Sequence, residues 1–259
     1  DRVIVKGQGM NGGVASVFQL AGQNQTVADM TLGWVANHPI QIHGEFNADS
    51  PRLHNLHIVD GREQLVKVSY DPSDMAKGSD NGVLECSTLE YTAGIGPQFY
   101  IGGIDAHNAA DWIVRDNVFK NIRSPEEEIA EHAVHFWSDS RNTLVERNVI
   151  INSDRGIGFG LGDRGHHGGI IRNNMIYHDS SRGDVGIGLE NAENVQVLNN
   201  TIFFENDYAN AIEYRFNGSR NITIRGNIVN RIIKSREGGQ ATVTENRDDA
   251  VKSMFADVL

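Results

Sequence analysis

Six residues in four short apolar segments are the best equipped for chemistry. They are His43 in HPIQIHGE (38–45), Lys67 in QLVKVS (64–69), Asp105 and His107 in GGIDAH (102–107), and His135 and Trp137 in HAVHFW (132–137). Imidazole titrates near neutrality and serves as general base or acid. A lysine beside an aspartate is held in place and kept charged, which opposes a role as base. The candidate catalytic set is therefore Lys67, Asp105, His107 and His135, with His107 or His135 the better base. Trp137 offers a flat face to a sugar ring. Arg155 in DRGIGFG and Arg215 in NAIEYRF would bind carboxylates, and His43, Glu190 and Glu213 complete the candidate substrate-binding set. His43, His107 and His135 with Asp105 are also the donor types of a transition-metal site, although they come from separate segments without local ligand spacing. The pair His166-His167 in GDRGHHGG reads as a solvated turn.

Residues so far apart in the chain meet only if a repeat brings them together. One exists. The phrase apolar–x–polar–x–Asn–apolar occurs as WIVRDNVF, TLVERNVI, GIIRNNMI, VQVLNNTI and ITIRGNIV. Its asparagines Asn117, Asn148, Asn174, Asn200 and Asn227 are spaced 31, 26, 26 and 27 residues apart. A period in the twenties with short alternating strands is a coil of a solenoid. Stacked coils would place these asparagines in one ladder at a turn, where Asn adopts the left-handed conformation and bonds its neighbour.

A second strand recurs in each coil: HAVHFW, RGIGFGL (155–161), VGIGLE (185–190) and NAIEYRF (210–216). Alternation puts Val134, Phe136, Ile157, Phe159, Ile187, Leu189, Ile212 and Tyr214 in the core. The opposite parity gives three outward columns. The first reads Gln41, Lys67, Asp105, His135, Gly158, Gly188, Glu213. The second reads His43, Ser69, His107, Trp137, Gly160, Glu190, Arg215. The third reads Pro39, Leu65, Gly103, Ala133, Gly156, Gly186, Ala211. Glycines at 156, 158, 160, 186 and 188 flatten the middle of this face into a trough suited to an extended polymer. The segments 71–82, 92–99 and 123–130 are expected to bulge out as loops. SPEEEIAEH (124–132) reads as a short helix with Ser124 as N-cap.

The motifs above resemble the pectate-lyase-like superfamily of right-handed parallel β-helix proteins, across residues 27–246 at least. The resemblance implies an all-β fold, a single-stranded right-handed parallel β-helix of the pectin-lyase-like kind. One solenoid domain is expected over residues 1–259, with the N-terminal cap absent or truncated and a C-terminal cap at about 235–259. That superfamily holds lyases, hydrolases, esterases, epimerases and tailspikes, so fold alone does not choose among them. The implied function is a polysaccharide lyase acting on a uronic-acid-containing glycan by β-elimination. The alternatives are a non-catalytic glycan-binding or adhesin β-helix and a glycoside hydrolase. Lyases of the chondroitinase B and alginate lyase type pair Lys and Arg with calcium, so a calcium ion is a possible cofactor. Here HAVHFWSDSRNT has no Lys at the comparable place. The polygalacturonase set NTD, DD, GHG and RIK is absent.

Composition bounds the partners. The formal net charge is −11 and the pI near 5.3, which disfavours nucleic acid as a partner. An acidic polysaccharide would need local basic residues. Cys86 is the only cysteine, so no internal disulfide forms. No run of about 18 apolar residues is present, so no membrane partner is expected. The chain opens on Asp1 and enters an apolar stretch at once, which reads as a trimmed start of a secreted or periplasmic bacterial protein.

Overall fold

The computed structural model describes residues 3–179 and 182–255. They wind through nine coils of a right-handed parallel β-helix. Each coil gives one strand to each of three nine-stranded parallel sheets. Cavity and candidate residues lie on the second sheet, here the site sheet. From coil 2 to coil 9 its strands are Ile40–His43, Val66–Ser69, Ile104–His107, His132–Trp137, Arg155–Phe159, Ile187–Glu190, Asn210–Arg215 and Ile232–Arg236. The ninth coil ends on strand Ala241–Thr244, followed by a short 3-10 turn at Lys252–Met254. Among the described residues no helix is long and apolar enough to cross a membrane.

The core is a set of vertical columns. On the site sheet, Ile40, Val66, Ile104, Val134, Ile157, Ile187 and Ile212 stack in register and are fully buried. Burying each such side chain contributes roughly 1.5–3 kcal/mol. β-branched residues suit these positions because their restricted χ1 matches the pleat. All eight residues expected to point inward from the later coils are buried.

The aligned asparagines form a buried hydrogen-bonded ladder. Asn117 Nδ2 donates to Asn148 Oδ1 at 3.0 Å, Asn148 to Asn174 at 3.0 Å, Asn174 to Asn200 at 2.9 Å and Asn200 to Asn227 at 3.0 Å. Asn246 extends it by one rung. The expected left-handed backbone belongs to the residue before each rung: Asp116, Arg147, Asn173, Asn199 and Gly226. That preceding residue turns the corner. The asparagine itself faces inward, where its amide also donates to a carbonyl of the coil below.

Three local expectations are corrected. Residues 124–131 form no helix; Ser124 Oγ accepts the Glu126 N–H in a turn. Both ends of this loop are tied to one carboxylate, because Asp154 Oδ2 accepts the N–H of Ser124 and of Ala130. His166 is not solvated. It is fully buried, stacks on Phe159 at 3.9 Å and bonds Thr143, while His167 is exposed. The third outward column points into the core instead. Leu65, Ala133 and Ala211 are core residues, and a Cβ at Gly103, Gly156 or Gly186 would strike Phe119, Ile176 or Ile202. The strand kinks where it enters the sheet on coils 5 and 6: His132 pairs with Arg155 and Val134 with Ile157, and both His132 and Arg155, one position before Ala133 and Gly156, line the cavity.

Candidate functional site

The site sheet brings Lys67, Asp105 and His135 side by side on coils 3, 4 and 5, and His107 beside Trp137. Lys67 Nζ donates to Asp105 Oδ2 and, at 2.9 Å, to His107 Nε2. His107 is thereby an acceptor at Nε2, so its Nδ1–H donates to Ser138 Oγ at 3.0 Å. Asp105 Oδ1 accepts Trp137 Nε1–H at 2.7 Å and lies 3.4 Å from His135 Nδ1. Burial opposes the charge on Asp105, but the Lys67 ammonium and His135 outweigh it and hold the carboxyl far below its ordinary range. Burial pushes His107 down to about 3, and Lys67 adds to this against the pull of Asp105.

This network is packed beneath the surface. Asp105 and His135 are only 2% and 1% exposed. His107 is covered by Tyr70 at 4.9 Å between ring centres. Trp137 has His135 stacked on it at 5.0 Å and the Arg164 guanidinium over it at 3.9 Å. Its ring faces are thus engaged within the protein. His43 lies apart, two coils below His107 with Ser69 between them, and bonds Glu45 at 2.7 Å.

The remaining candidates, Arg155, Glu190, Glu213 and Arg215, converge on a separate cavity of about 280 Å³ above coils 5 to 9. Its floor includes Gly188, and Gly158 lies beneath the His132 ring; a Cβ at Gly158 would stand 2.7 Å from that ring. His132, Tyr208 and Arg236 also line it. Arg155 Nε donates to Asp184 at 2.8 Å, Arg215 to Glu190 at 2.8 Å and Arg236 to Glu213 at 2.9 Å. Glu190 Oε2 also accepts the Gly162 N–H, and Glu213 Oε1 accepts Tyr208 O–H and Asn210 Nδ2–H. Burial pushes the Tyr208 phenol up, reinforced by its bond to Glu213. Burial likewise holds His132 well below the usual imidazole value, helped by His135 and Arg155. The cavity thus contains a neutral imidazole, a protonated phenol and three guanidinium groups.

His132 joins the two regions. Its ring lies 4.5 Å from His135 and covers Gly158, while Nδ1 turns toward Glu131 and away from the cavity. Sequence alternation misses His132 because the kink reverses parity between 132 and 134. Tyr208 and Arg236 are missed because one lies before its strand and the other on the last coil. The legible signal was the glycine run in DRGIGFG, which leaves room for an overlying ring.

No protein-family model matches the chain, and no curated protein matches it. Among solved structures, the fold is similar to that of alginate lyase from Paenibacillus sp. str. FPU-7. Identity is 12% and the TM-score 0.48, over 94% of this chain and 79% of that one. It is also similar to the Dettilon tailspike protein, at 14% identity and a TM-score of 0.49, over 94% of this chain and 59% of that one. The chain therefore spans less than two thirds of the tailspike's length. Neither likeness assigns a role to any residue here.

Proposed function

We propose that the chain is a polysaccharide lyase that cleaves a uronic-acid-containing glycan by β-elimination in the cavity above coils 5 to 9. The observation that carries this reading is the coincidence of an imidazole, a phenol and three guanidinium groups over one glycine-rich floor. β-Elimination needs three things: relief of the C6 carboxylate charge, a base for the C5 proton, and a proton for the departing O4. Arg155 and Arg215 are the carboxylate partners. His132 Nε2, on the cavity side of a ring kept neutral by burial, takes the C5 proton. The C5–H electrons form the C4=C5 double bond, the C4–O4 bond breaks, and Tyr208 gives its proton to O4. In this reading Lys67, Asp105, His107 and His135 lie behind His132 and position it. An acidic polysaccharide is the partner, and the trough direction runs across the coils.

A hydrolase fits less well. Glu190 and Glu213 are diagonal neighbours on adjacent strands, with Cα atoms ~8 Å apart from strand spacing and rise, which makes them the nearest thing to an acid/base pair in the cavity. Yet every oxygen of both carboxylates already accepts a donor, leaving none to carry the leaving-group proton. Glycan binding without cleavage is the second reading. The bond from Tyr208 O–H to Glu213 Oε1 favours it, because the proton that cleavage needs is already engaged within the protein.

One depolymerisation screen on alginate, pectate, hyaluronan, chondroitin and ulvan separates these. The lyase reading expects ultraviolet absorbance from an unsaturated product, lowered about 10²–10⁴-fold in His132→Ala and in Tyr208→Phe, as for loss of a general base or acid. New reducing ends without that absorbance identify a hydrolase. Retention on a glycan affinity gel with no chain shortening identifies a binding module.

A further inference from the structure

Beside the cavity, three side chains face one another with nothing between them. Glu131 Oε2 lies 3.9 Å from His132 Nδ1 and 3.9 Å from His135 Nδ1, and the three atoms lie within 4.8 Å of one another. All three atoms are buried and none has a hydrogen-bond partner. His132 and His135 are themselves 5% and 1% exposed. Buried polar atoms are almost always satisfied, so three orphans aimed at one point call for an occupant.

The surroundings fix what that occupant is. His135 Nε2 lies 3.3 Å from the Gly160 carbonyl oxygen; in the tautomer that donates there, the Nδ1 lone pair is 3.9 Å from Glu131 Oε2 and 3.4 Å from Asp105 Oδ1. A cation among them, whether a metal ion or a proton on Nδ1, relieves that arrangement. Donation of the far imidazole N–H to a backbone carbonyl is the outer-shell contact that orients metal-ligating histidines. Two separations of 3.9 Å and a third of at most 4.8 Å place a central ion roughly 2.3–2.5 Å from each donor, and zinc bonds of ~2.0–2.2 Å need inward shifts of a few tenths of an ångström. Two imidazoles and one carboxylate suit a first-row transition ion far better than calcium, which takes six or more oxygens. Arg155 NH1, 3.9 Å from Glu131 Oε2, and the Lys67 ammonium on Asp105 are the nearby cations working against it.

We propose that Glu131, His132 and His135 form a site for one divalent transition-metal ion, behind the His132 ring as seen from the cavity. This is not the donor set of His43, His107, His135 and Asp105 considered from sequence: His43 is remote, and His107 is committed to Lys67 and Ser138. The consequence for the cavity rests on the lyase reading. With Nδ1 on a metal, His132 Nε2 carries the ring proton and is a donor, so the ion would withdraw the base.

Zinc binding is measured on the whole chain by competition with a chromophoric chelator, and cobalt(II) binding by visible absorption. The expected result is one zinc per chain, and a tetrahedral cobalt spectrum that zinc abolishes. Glu131→Gln and His135→Ala should each weaken zinc by more than about 100-fold, exceeding the loss typical of an outer-shell partner. His57→Ala, at a His–Glu pair elsewhere on the surface, should leave affinity unchanged. Absent stoichiometric zinc binding in the wild type overturns the proposal. So does equal affinity in Glu131→Gln and wild type, a comparison that holds even if His135→Ala misfolds. Neither readout involves a glycan. Zinc binding with no cleavage of any polysaccharide leaves the site standing and removes the lyase. Cleavage without zinc binding does the reverse.

Discussion

Replacing Asp105 by Asn should destabilise the protein far more than a surface change would. The carboxylate is 2% exposed and serves the Lys67 ammonium and the Trp137 indole together. Asn keeps the shape but removes the charge, so the Lys67 side chain, 12% exposed, is left as a desolvated cation without its anion. Breaking a buried ion pair from one side costs about 3–5 kcal/mol. Lys67→Met should cost a comparable amount from the other side. The double variant Lys67→Met/Asp105→Asn leaves no buried charge at that pair, and it should lose no more than either single change. The implied coupling is on the order of 3 kcal/mol, within the range of close pairs. Guanidinium unfolding followed by tryptophan fluorescence measures all four proteins, with unchanged m-values as the check on two-state behaviour. A loss under about 1 kcal/mol in Asp105→Asn, or additive losses in the double variant, would refute the argument that desolvation governs this pair.

The asparagine ladder predicts a gradient. Asn148→Ala in its middle strands the Asn117 N–H and the Val114 carbonyl, costing about 2–6 kcal/mol at 1–3 for each buried orphan, whereas Asn246→Ala at its end should cost markedly less in the same unfolding assay. Asp154 predicts an acid-sensitive loop. Burial opposes its charge, but bonds from His178 and from the N–H groups of Ser124 and Ala130 hold its carboxyl below 3.8. A depressed carboxylate stabilises above its unfolded value and loses that contribution as pH falls through the folded one. The stability gap between wild type and Asp154→Asn should therefore be full at neutral pH and narrow below about pH 3.8; a gap that widens on acidification would contradict the assignment.

Much of the fold was legible because translation by one coil is the only operation that relates its parts. Once Asn148, Asn174 and Asn200 are aligned, the register of every strand between them follows; the earlier coils needed a choice of gaps, and with that choice Lys67, Asp105 and His135 fall into the one line the structure shows. What alternation cannot see is where a strand bends. Between His132 and Val134 the chain changes face, which turned Ala133 and Gly156 inward and left His132 over the floor. Nor does a strand pattern tell a residue that faces out from one that is covered. Tyr70 and Arg164 arrive from neighbouring loops to cover His107 and Trp137, and no periodicity records their approach. Arg155, Glu190, Glu213 and Arg215 were readable because each sits where outward-facing positions meet small floor residues.

The rungs of the ladder also separate what can vary from what cannot. From Asn148 to Asn227 the coils run at 26 or 27 residues, and this stretch supplies the floor. The coil before it takes 31, and its surplus is the loop that ends at Glu131. Insertions there lengthen a wall without shifting any rung.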